Sequence, residues 1–320
     1  MIVILADALA LLGIVAPVFL VILLGYGLAR QGLFTPALVA ANGRFVLTVL
    51  TPAVVFHAIS SARIAAIFRP DYLAVYGLAS LGAFALGFAW FRMGPARSDA
   101  AVAGVRAMGM SGSNTAFVGL PILAQLYGPA ATGPIALNML FESFVLLPLV
   151  LVLLELGQGG HGHPLRALAG TARNMARSSL LWAILLGTVC SAAGLVLPAP
   201  LERTVAMLAS ASGAIALVTI GASLAGIAVA GRRGTIAALV AGKLVLHPLL
   251  VVAALVVVPI GEPLFRTSAI LLAALPMFSI FPVFGQRVGD GEACGAAMVV
   301  AVAACPVTVI AAMLLLGVHL

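Results

Sequence analysis

Long apolar runs alternate with short polar connections along the 320-residue chain, and this pattern predicts ten membrane-spanning helices. Each run is about 20 residues long, which matches the length that a helix needs to cross the hydrocarbon core and is too long for a barrel strand. The predicted fold is therefore an all-α membrane protein. The ten predicted spans are residues 8–29, 36–60, 70–91, 100–127, 129–155, 177–197, 203–229, 234–259, 265–288 and 292–317.

The second half of the chain repeats the first. The Ile-Leu-Leu-Gly motif of residues 22–25 recurs at residues 184–187, and the Pro-x3-Gln-x2-Gly pattern of residues 121–128 recurs at residues 282–289. Five predicted spans in each half is an odd number, so the second copy should enter the membrane upside down relative to the first. We expect two inverted five-helix repeats, at residues 1–155 and 177–320, joined by a cytoplasmic loop at residues 156–176.

Composition and charge agree with a lipid environment. Hydrophobic residues make up 63% of the chain and charged residues 8%, whereas soluble domains carry about 25% charged residues. The net charge of +7 comes from arginines scattered between apolar runs, which argues against a nucleic-acid partner. The loops after the odd-numbered spans hold nine arginines against four on the other side, so we expect those loops in the cytoplasm and both termini outside.

Two predicted spans contain polar residues and prolines near their centres. Residues 111–121 of span 4 read Ser-Gly-Ser-Asn-Thr-Ala-Phe-Val-Gly-Leu-Pro, and residues 275–282 of span 9 read Leu-Pro-Met-Phe-Ser-Ile-Phe-Pro. Because proline removes a backbone donor and clashes with the preceding turn, both helices should break there.

Repeat-related breaks in inverted repeats should meet near the membrane midplane, where their half-helix N-termini form an anion site. The alternative is a pair of ordinary proline kinks. The candidate substrate-binding residues of these breaks are Ser113, Asn114, Thr115, Pro121, Pro276, Ser279 and Pro282.

Three ionisable residues inside predicted spans are candidates for a role in transport. Glu142 is near the middle of span 5, and Lys243 and His247 are four residues apart on one face of span 8. A carboxylate within the membrane is costly and should face a cavity or a partner. In one interpretation Lys243 attracts an anionic substrate while Glu142 or His247 carries a proton. In the other, Glu142 and Lys243 form a structural ion pair, and the sequence leaves both open.

Other polar residues have simpler interpretations. We expect Arg44 and Arg106 to extend towards the cytoplasmic surface, and Thr219 and Ser223 to bond carbonyls of their own helix. The three cysteines have no metal-ligand spacing and are interpreted as core residues. Two loop histidines, at positions 161 and 163, could hold a metal, but their Gly-rich surroundings are typical of a linker.

The chain shows no catalytic set and no phosphate-binding glycine loop, so we expect neither an enzyme, nor a cofactor, nor an ATP-driven pump.

Residues 114–123, Asn-Thr-Ala-Phe-Val-Gly-Leu-Pro-Ile-Leu, resemble the span 4 signature of the auxin efflux carrier family, which includes plant PIN exporters and bacterial carriers for malonate. Residues 274–276 with 281–284, and residues 50–56, resemble its span 9 and span 2 patterns. The resemblance implies a scaffold of spans 1, 2, 6 and 7 and a transport unit of spans 3–5 and 8–10. It further implies elevator-like movement, a homodimer and an organic carboxylate substrate. The short central loop is typical of a carrier of the bacterial inner membrane.

The predicted function is therefore secondary transport of a small organic anion, bound where spans 4 and 9 cross. Partners would be the anion, membrane lipid and a proton or sodium ion. An alternative is sodium-coupled symport, in which unwound carbonyls and Asn114 coordinate the ion. From another class, a membrane sensor would need a soluble output segment, and an intramembrane enzyme would need a nucleophile and base in one cavity.

Overall fold

The computed structural model describes residues 2–61, 69–94, 97–157, 176–227 and 233–316, and the regular structure within these ranges is helical. Most of the predicted central loop, with His161 and His163, lies outside the described residues, as do several of the arginines that predict orientation. The metal alternative for the loop histidines therefore stays a prediction.

Fifteen α-helices make up most of the described chain. The first half contains α1 (Ile2–Arg30), α2 (Pro36–Phe45), α3 (Thr51–Ser61), α4 (Pro70–Met93), α5 (Ala100–Ser111), α6 (Leu120–Tyr127), α7 (Thr132–Phe141) and α8 (Leu147–Gly157). The second half contains α9 (Ser179–Ala193), α10 (Ala199–Leu224), α11 (Arg233–Ala241), α12 (His247–Val257), α13 (Pro263–Ala273), α14 (Phe281–Arg287) and α15 (Gly291–Leu315).

Short π-helical turns interrupt several of these α-helices. They are Val46–Leu50, Thr115–Gly119, Glu142–Leu146 and Gly242–Leu246, and a 3-10 turn at Gly128–Ala131 separates α6 from α7. A π turn widens the helix locally and is often found at functional sites. Two of the π turns contain Glu142 and Lys243, the charged residues that the sequence places inside the membrane.

Six helical stretches of the described chain are long and apolar enough to cross a membrane. They are Pro36–His57, Pro70–Met93, Ala100–Leu154, Ala199–Leu224, Arg233–Val257 and Gly291–Leu315. Three shorter apolar helices accompany them, at Val15–Arg30, Ser179–Ala193 and Pro263–Ala273. The protein is thus an all-helical, multi-pass membrane protein over the residues that the structure describes.

Prolines determine where several helices begin. Pro36, Pro70 and Pro263 occupy the first helical position of α2, α4 and α13, where a missing N–H costs nothing and the fixed φ angle suits the helix. Thr35 also caps α2, since its hydroxyl oxygen accepts a hydrogen bond from the Leu38 N–H at 3.3 Å. The predicted starts of spans 2 and 3 at residues 36 and 70 are confirmed.

The glycines of the repeated Ile-Leu-Leu-Gly motif lie at helix contacts in both halves. Helix α1 packs along α10, where a Cβ at Gly25 would overlap the backbone of Val218. Helix α9 packs along α3, where a Cβ at Gly187 would press on Ile59. Small residues let helix backbones approach closely inside a membrane, so the repeated motif serves the same packing purpose twice.

Helix α4 packs against both α5 and α12, and one of its faces is buried over its whole length. Tyr72, Tyr76 and Ser80, spaced four residues apart, lie on that face and have no exposed surface. This contact brings the polar side chains of α4 to the place where the first and second halves of the chain meet.

Candidate functional site

Both predicted helix breaks are present. Helix α5 ends at Ser111, and the backbone is non-helical at residues 112–114, which we call the first break. Helix α13 ends at Ala273, and α14 begins only at Phe281, so residues 274–280 form the second break. The two breaks touch, because the backbone N–H of Asn114 donates a 2.9 Å hydrogen bond to the carbonyl of Pro276.

Glycines in α5 and the first break allow this close approach. A Cβ at Gly112 would overlap the ring of Phe278 in the second break. One turn earlier, a Cβ at Gly109 would lie 2.5 Å from the ring of Phe281. Real Cβ atoms do not approach carbon atoms so closely, so aromatic rings of the second half fill the space that the glycines leave.

Glu142 is bound to the first break as an anionic ligand would be. Its Oε1 accepts a 2.8 Å hydrogen bond from the backbone N–H of Ser113, and its Oε2 accepts one of 3.0 Å from the Thr115 hydroxyl. The side chain is 4% exposed. Hydrogen bonds from backbone N–H groups to a carboxylate are among the stronger ones in proteins, so the first break is chemically suited to hold an anion.

A second chain of hydrogen bonds fixes the Thr115 hydroxyl proton. Asn138 Nδ2 donates to Thr115 Oγ1 at 2.7 Å, and the Tyr72 hydroxyl donates to Asn138 Oδ1 at 3.3 Å. Because an amide nitrogen only donates, Thr115 Oγ1 accepts from Asn138 and directs its own proton to Glu142. Glu142 therefore accepts hydrogen bonds at both of its oxygens.

Lys243 is fully buried and connects both breaks. Its Nζ donates to the Ser113 hydroxyl at 2.9 Å, to the Ala273 carbonyl at 2.7 Å and to His247 Nδ1 at 2.9 Å. Ala273 is the last residue of α13, whose end carries partial negative charge and carbonyls without helical partners. All three ammonium protons are thus used. His247 Nε2 is left to donate to Ser80 Oγ, 2.9 Å away.

Ser113 separates the two buried charges. Its N–H donates to Glu142 and its hydroxyl oxygen accepts from Lys243, while the Tyr76 hydroxyl lies 2.8 Å from Ser113 Oγ and 3.5 Å from Glu142 Oε1. The salt bridges found among the described residues do not include Glu142 or Lys243. The charges are therefore bridged by a serine and are not in direct contact.

A cavity of about 200 Å³ adjoins this cluster. It is lined by Ser113, Asn114, Thr115, Glu142 and Ser279 together with apolar side chains. The Asn114 side chain is 2% exposed, and its Nδ2 has no hydrogen-bond partner among the residues that the structure describes. An unpaired buried donor is costly, so a ligand that reached this amide would supply its missing partner.

A larger cavity of about 800 Å³ adjoins the first and shares Phe117 and Ser279 with it. It lies between the ends of α1 and α10 on one side and α14 on the other, with Ala29, Gly226 and Gln286 in its lining. The two cavities therefore share part of their lining beside the second break, and the larger one extends towards one end of the helices.

Comparison with known proteins identifies the class of protein. The profile of the family described as "Membrane transport protein" matches residues 10–314, nearly the whole chain. The chain belongs to this family, the auxin efflux carriers. It is 28% identical over 280 residues to the "Putative malonate transporter" of Rhizobium meliloti (strain 1021), covering 87% of this chain and 86% of that protein. It is also 28% identical over 222 residues to the "Uncharacterized transporter YfdV" of Escherichia coli (strain K12), covering 67% and 68%.

Membership of the auxin efflux carrier family makes the protein a membrane transporter with a small-molecule substrate, and not an enzyme. The binding of that substrate has to be sought among the residues of the two breaks and their partners.

Most of the predicted site residues gather at the two breaks of this auxin efflux carrier, and two do not. Pro121 packs against Gly213 of α10, with 3.7 Å between its Cγ and the Cβ position of the glycine. Pro282 lies in the first turn of α14. Neither proline is among the residues that line the two cavities, so both act on the course of the helices.

Three residues of the site were not predicted from the sequence. Tyr72, Tyr76 and Ser80 of α4 contact Asn138, Ser113 and His247. Their spacing of four residues, which places hydroxyl groups on one helix face, was the available signal. Tyrosine is also common at membrane interfaces, so this signal alone does not identify a site.

The Arg106 side chain extends, as expected, to the loops that follow spans 3 and 9, but it is buried there and does not reach solvent. It is 2% exposed and forms a bidentate ion pair with Asp290, at 2.7 Å from Nε and 2.9 Å from Nη2. It also donates to Ser98 Oγ and stacks over the Phe91 ring. The carboxylate partner comes from the other half of the chain, which is why span 4 alone does not indicate the ion pair.

The expectation for Thr219 and Ser223 is confirmed. Their hydroxyls donate to the carbonyls of Ile215 and Ile220 in the same helix, at 2.6 and 2.7 Å. Both residues also line the larger cavity.

Proposed function

We propose that this auxin efflux carrier is a secondary transporter of small organic carboxylates, which bind in the cavity beside the first break. The observation that carries the proposal is the buried, unpaired amide of Asn114, a residue that lines the same cavity as Ser113 and Thr115. All three groups can donate hydrogen bonds, and the Ser113 N–H and Thr115 hydroxyl already donate to the carboxylate of Glu142. Such a set recognises an anion with oxygen atoms.

The size of the cavity favours a substrate of a few carbon atoms. Sites for drug-sized ligands measure about 300–1,000 Å³, and this cavity measures about 200 Å³. One relative is named as a malonate transporter, and malonate is a three-carbon dicarboxylate. Malonate is therefore the first compound to test, with acetate and succinate as shorter and longer acids.

We further propose the ten-helix inverted-repeat fold, with repeats at residues 1–155 and 177–320 and a cytoplasmic loop at residues 156–176. Two features support it. The stretch Ala100–Leu154 has 55 residues, enough for two spans, and counting it twice together with the three shorter helices brings the six stretches to ten. Exchanging the repeats also converts the α1–α10 contact of spans 1 and 7 into the α9–α3 contact of spans 6 and 2.

In this proposal spans 1, 2, 6 and 7 form the scaffold and spans 3–5 and 8–10 form the transport unit. The larger cavity lies between α1, α2 and α10 of the scaffold and α14 of the transport unit, which supports an elevator-like movement along that boundary. The arginine bias supports an orientation in the bacterial inner membrane with both termini outside, and the larger cavity then opens to the cytoplasm. The resemblance to the family is the basis for proposing a homodimer.

The buried charges bear on the coupling ion. A proton could be carried by Glu142, which lines the cavity, or by His247, which lies behind Lys243. A sodium ion would need carbonyl and hydroxyl oxygens as ligands. The Ser113 hydroxyl and the Ala273 carbonyl, which lie close together between the breaks, already bind the ammonium of Lys243. Proton coupling is therefore the proposal that the charges favour.

The test is uptake of radiolabelled malonate, acetate and succinate into proteoliposomes, with an imposed pH gradient, sodium gradient or neither. We expect accumulation of at least one of these acids under a pH gradient, and none in protein-free liposomes. Uptake driven only by sodium would favour the alternative symport, and no uptake of any acid would refute the proposed substrate class.

The inverted topology predicts the labelling of two introduced cysteines. In a background lacking Cys190, Cys294 and Cys305, His163→Cys should react only from the cytoplasmic side and His319→Cys only from outside. Labelling of right-side-out and inside-out vesicles with a membrane-impermeant maleimide measures this. If both positions react from the same side, the inverted repeat is wrong.

A further inference from the structure

The carboxylate of Glu142 occupies the donors that a substrate carboxylate would use. It bonds to the Ser113 N–H and the Thr115 hydroxyl, and it lines the same cavity as the unpaired Asn114 amide. One carboxylate is therefore already bound at the first break, and it belongs to the protein. We propose that Glu142 is an internal anion that must be protonated and displaced before a substrate carboxylate can bind, so that one proton enters with each substrate.

The hydrogen-bond directions around Glu142 support this role. Asn138 can only donate to Thr115, so the Thr115 proton points to Oε2, and the Ser113 N–H points to Oε1. Lys243 can only donate to the Ser113 hydroxyl, so the Ser113 proton turns to Tyr76 and the Tyr76 proton to Glu142. Among the described residues, every hydrogen bond to Glu142 is donated to it, and this arrangement fits the ionised carboxylate.

Protonation reverses this preference. A carboxylic acid keeps one oxygen as a weaker acceptor, and its O–H now faces other donors, so its hold on the first break weakens. The Ser113 N–H and Thr115 hydroxyl are then free to join Asn114 Nδ2 as three donors for an incoming carboxylate. When the substrate leaves, Glu142 releases its proton to the same side and takes back both donors.

The exchange of Glu142 for a substrate carboxylate leaves the net charge of the site unchanged. The titratable groups facing it are Tyr76 and, through Asn138, Tyr72, both from α4, and Lys243 across Ser113. His247 lies one residue further, beyond Lys243. Lys243 stays bonded to Ala273 throughout, so the site with protonated Glu142 has one uncompensated positive charge, which one substrate carboxylate neutralises.

This inference rests on the proposed function and adds to it a stoichiometry of one proton for each substrate molecule. A monocarboxylate would move together with one proton and carry no net charge. A dicarboxylate would move with one proton and carry one negative charge across the membrane, so its uptake would respond to membrane potential.

The first test is equilibrium binding of radiolabelled malonate to the purified wild type and to Glu142→Gln, from about pH 6.5 upwards, where carboxyl groups in water are ionised. Wild-type affinity should fall by up to about tenfold per pH unit, since one proton is bound with the ligand. Glutamine cannot ionise, so affinity in Glu142→Gln should vary by less than about twofold over the same range. Glu202→Gln, on the exposed first turn of α10, is the matched control and should behave as wild type.

A second measurement does not depend on transport or on the glutamine variant. In Glu142→Ala the donors of the first break lose their internal anion, so acetate in the buffer should raise the thermal unfolding temperature of this variant more than that of the wild type. Chloride at equal ionic strength is the control.

The outcomes separate the two proposals. A wild-type pH dependence that persists in Glu142→Gln, or acetate stabilisation no larger in Glu142→Ala than in the wild type, would overturn the internal anion and leave carboxylate transport standing. If acetate stabilises Glu142→Ala but the wild type transports no carboxylate, the proposed substrate fails and the internal anion holds.

Discussion

A non-helical segment interrupts a helix at both breaks, but the first break binds a negatively charged side chain and the second a positively charged one. The first break and the π turn after it present donors, namely the Ser113 N–H, the Asn114 amide and the Thr115 hydroxyl, and a carboxylate is bound there. At the second break carbonyl oxygens accept hydrogen bonds from the rest of the site. The Pro276 carbonyl accepts from the Asn114 N–H, and the carbonyl of Ala273, at the end of α13, accepts from Lys243.

The difference teaches how two similar helix breaks can bind opposite charges. Breaking a helix frees N–H groups on one side of the gap and C=O groups on the other, so either break could attract either charge. The side chains that approach each gap decide the result. Glu142 from span 5 approaches the first break, and Lys243 from span 8 reaches the end of α13 at the second.

Removing the buried charges should have the largest effect and tests the difference between the two breaks. Lys243→Met leaves the Ala273 carbonyl and His247 without their donor and Glu142 without a nearby cation, which typically costs about 3–5 kcal/mol. Glu142→Gln should cost less, because its amide oxygen still accepts from Ser113. The double variant should recover the part of the stability that the unpaired charge costs, but it should not concentrate substrate against a gradient. Thermal unfolding in detergent and uptake into proteoliposomes measure the two properties.

A control for this cycle is the exposed pair Glu202→Gln and Arg203→Met on α10, which should change neither property. If the double variant at the breaks were fully active, the buried charges would be structural only.

Adding a methyl group where α5 contacts the second half should have an intermediate effect on stability. Gly109→Ala places a methyl group against the Phe281 ring and should destabilise the protein by about 1–3 kcal/mol, although alanine favours the helix. Gly13→Ala in α1, whose Cβ would meet nothing within 4 Å beyond the nearby backbone of its own helix, is the matched control and should be neutral or slightly stabilising. Equal unfolding temperatures for the two variants would show that Gly109 does not pack closely against the Phe281 ring.

The smallest effect is expected from the neutral contact of the second break. The Thr308 hydroxyl donates to the Ala274 carbonyl at 3.1 Å, and Thr308→Val removes this bond at a typical cost of about 0.5–1.5 kcal/mol. Because no charge is involved, transport should persist. A loss of uptake with preserved stability would mean that the second break also binds substrate through Thr308.

The breaks themselves could be predicted from the sequence because proline, glycine and polar residues within an apolar run have local causes. Ser113, Asn114, Thr115 and Glu142 were predicted as site residues, and the structure brings them to one cavity. Local reasoning was enough for them, since each is a polar residue that a membrane helix tolerates only for a reason.

Long-range contacts could not be predicted. Arg106 and Asp290 are 184 positions apart, and neither segment alone indicates the other. The position of Ser113 between Glu142 and Lys243 depends on how spans 4, 5 and 8 pack together. The tyrosines of α4 were missed because an aromatic ring with one hydroxyl fits an ordinary membrane helix, and only the packing of α4 on α5 gives that hydroxyl a partner.

The central claim is that a carboxylate substrate binds at the first break through Asn114, and the most direct measurement is malonate uptake by Asn114→Ala proteoliposomes. The Asn114 Nδ2 has no partner among the described residues, so its removal should leave thermal stability near that of the wild type. A hydrogen bond to a charged ligand is worth about 1.5–3 kcal/mol, so uptake should fall by at least about tenfold. Asn42→Ala, on α2 and outside both cavity linings, should transport normally. Normal uptake by Asn114→Ala would contradict the account and place the substrate elsewhere.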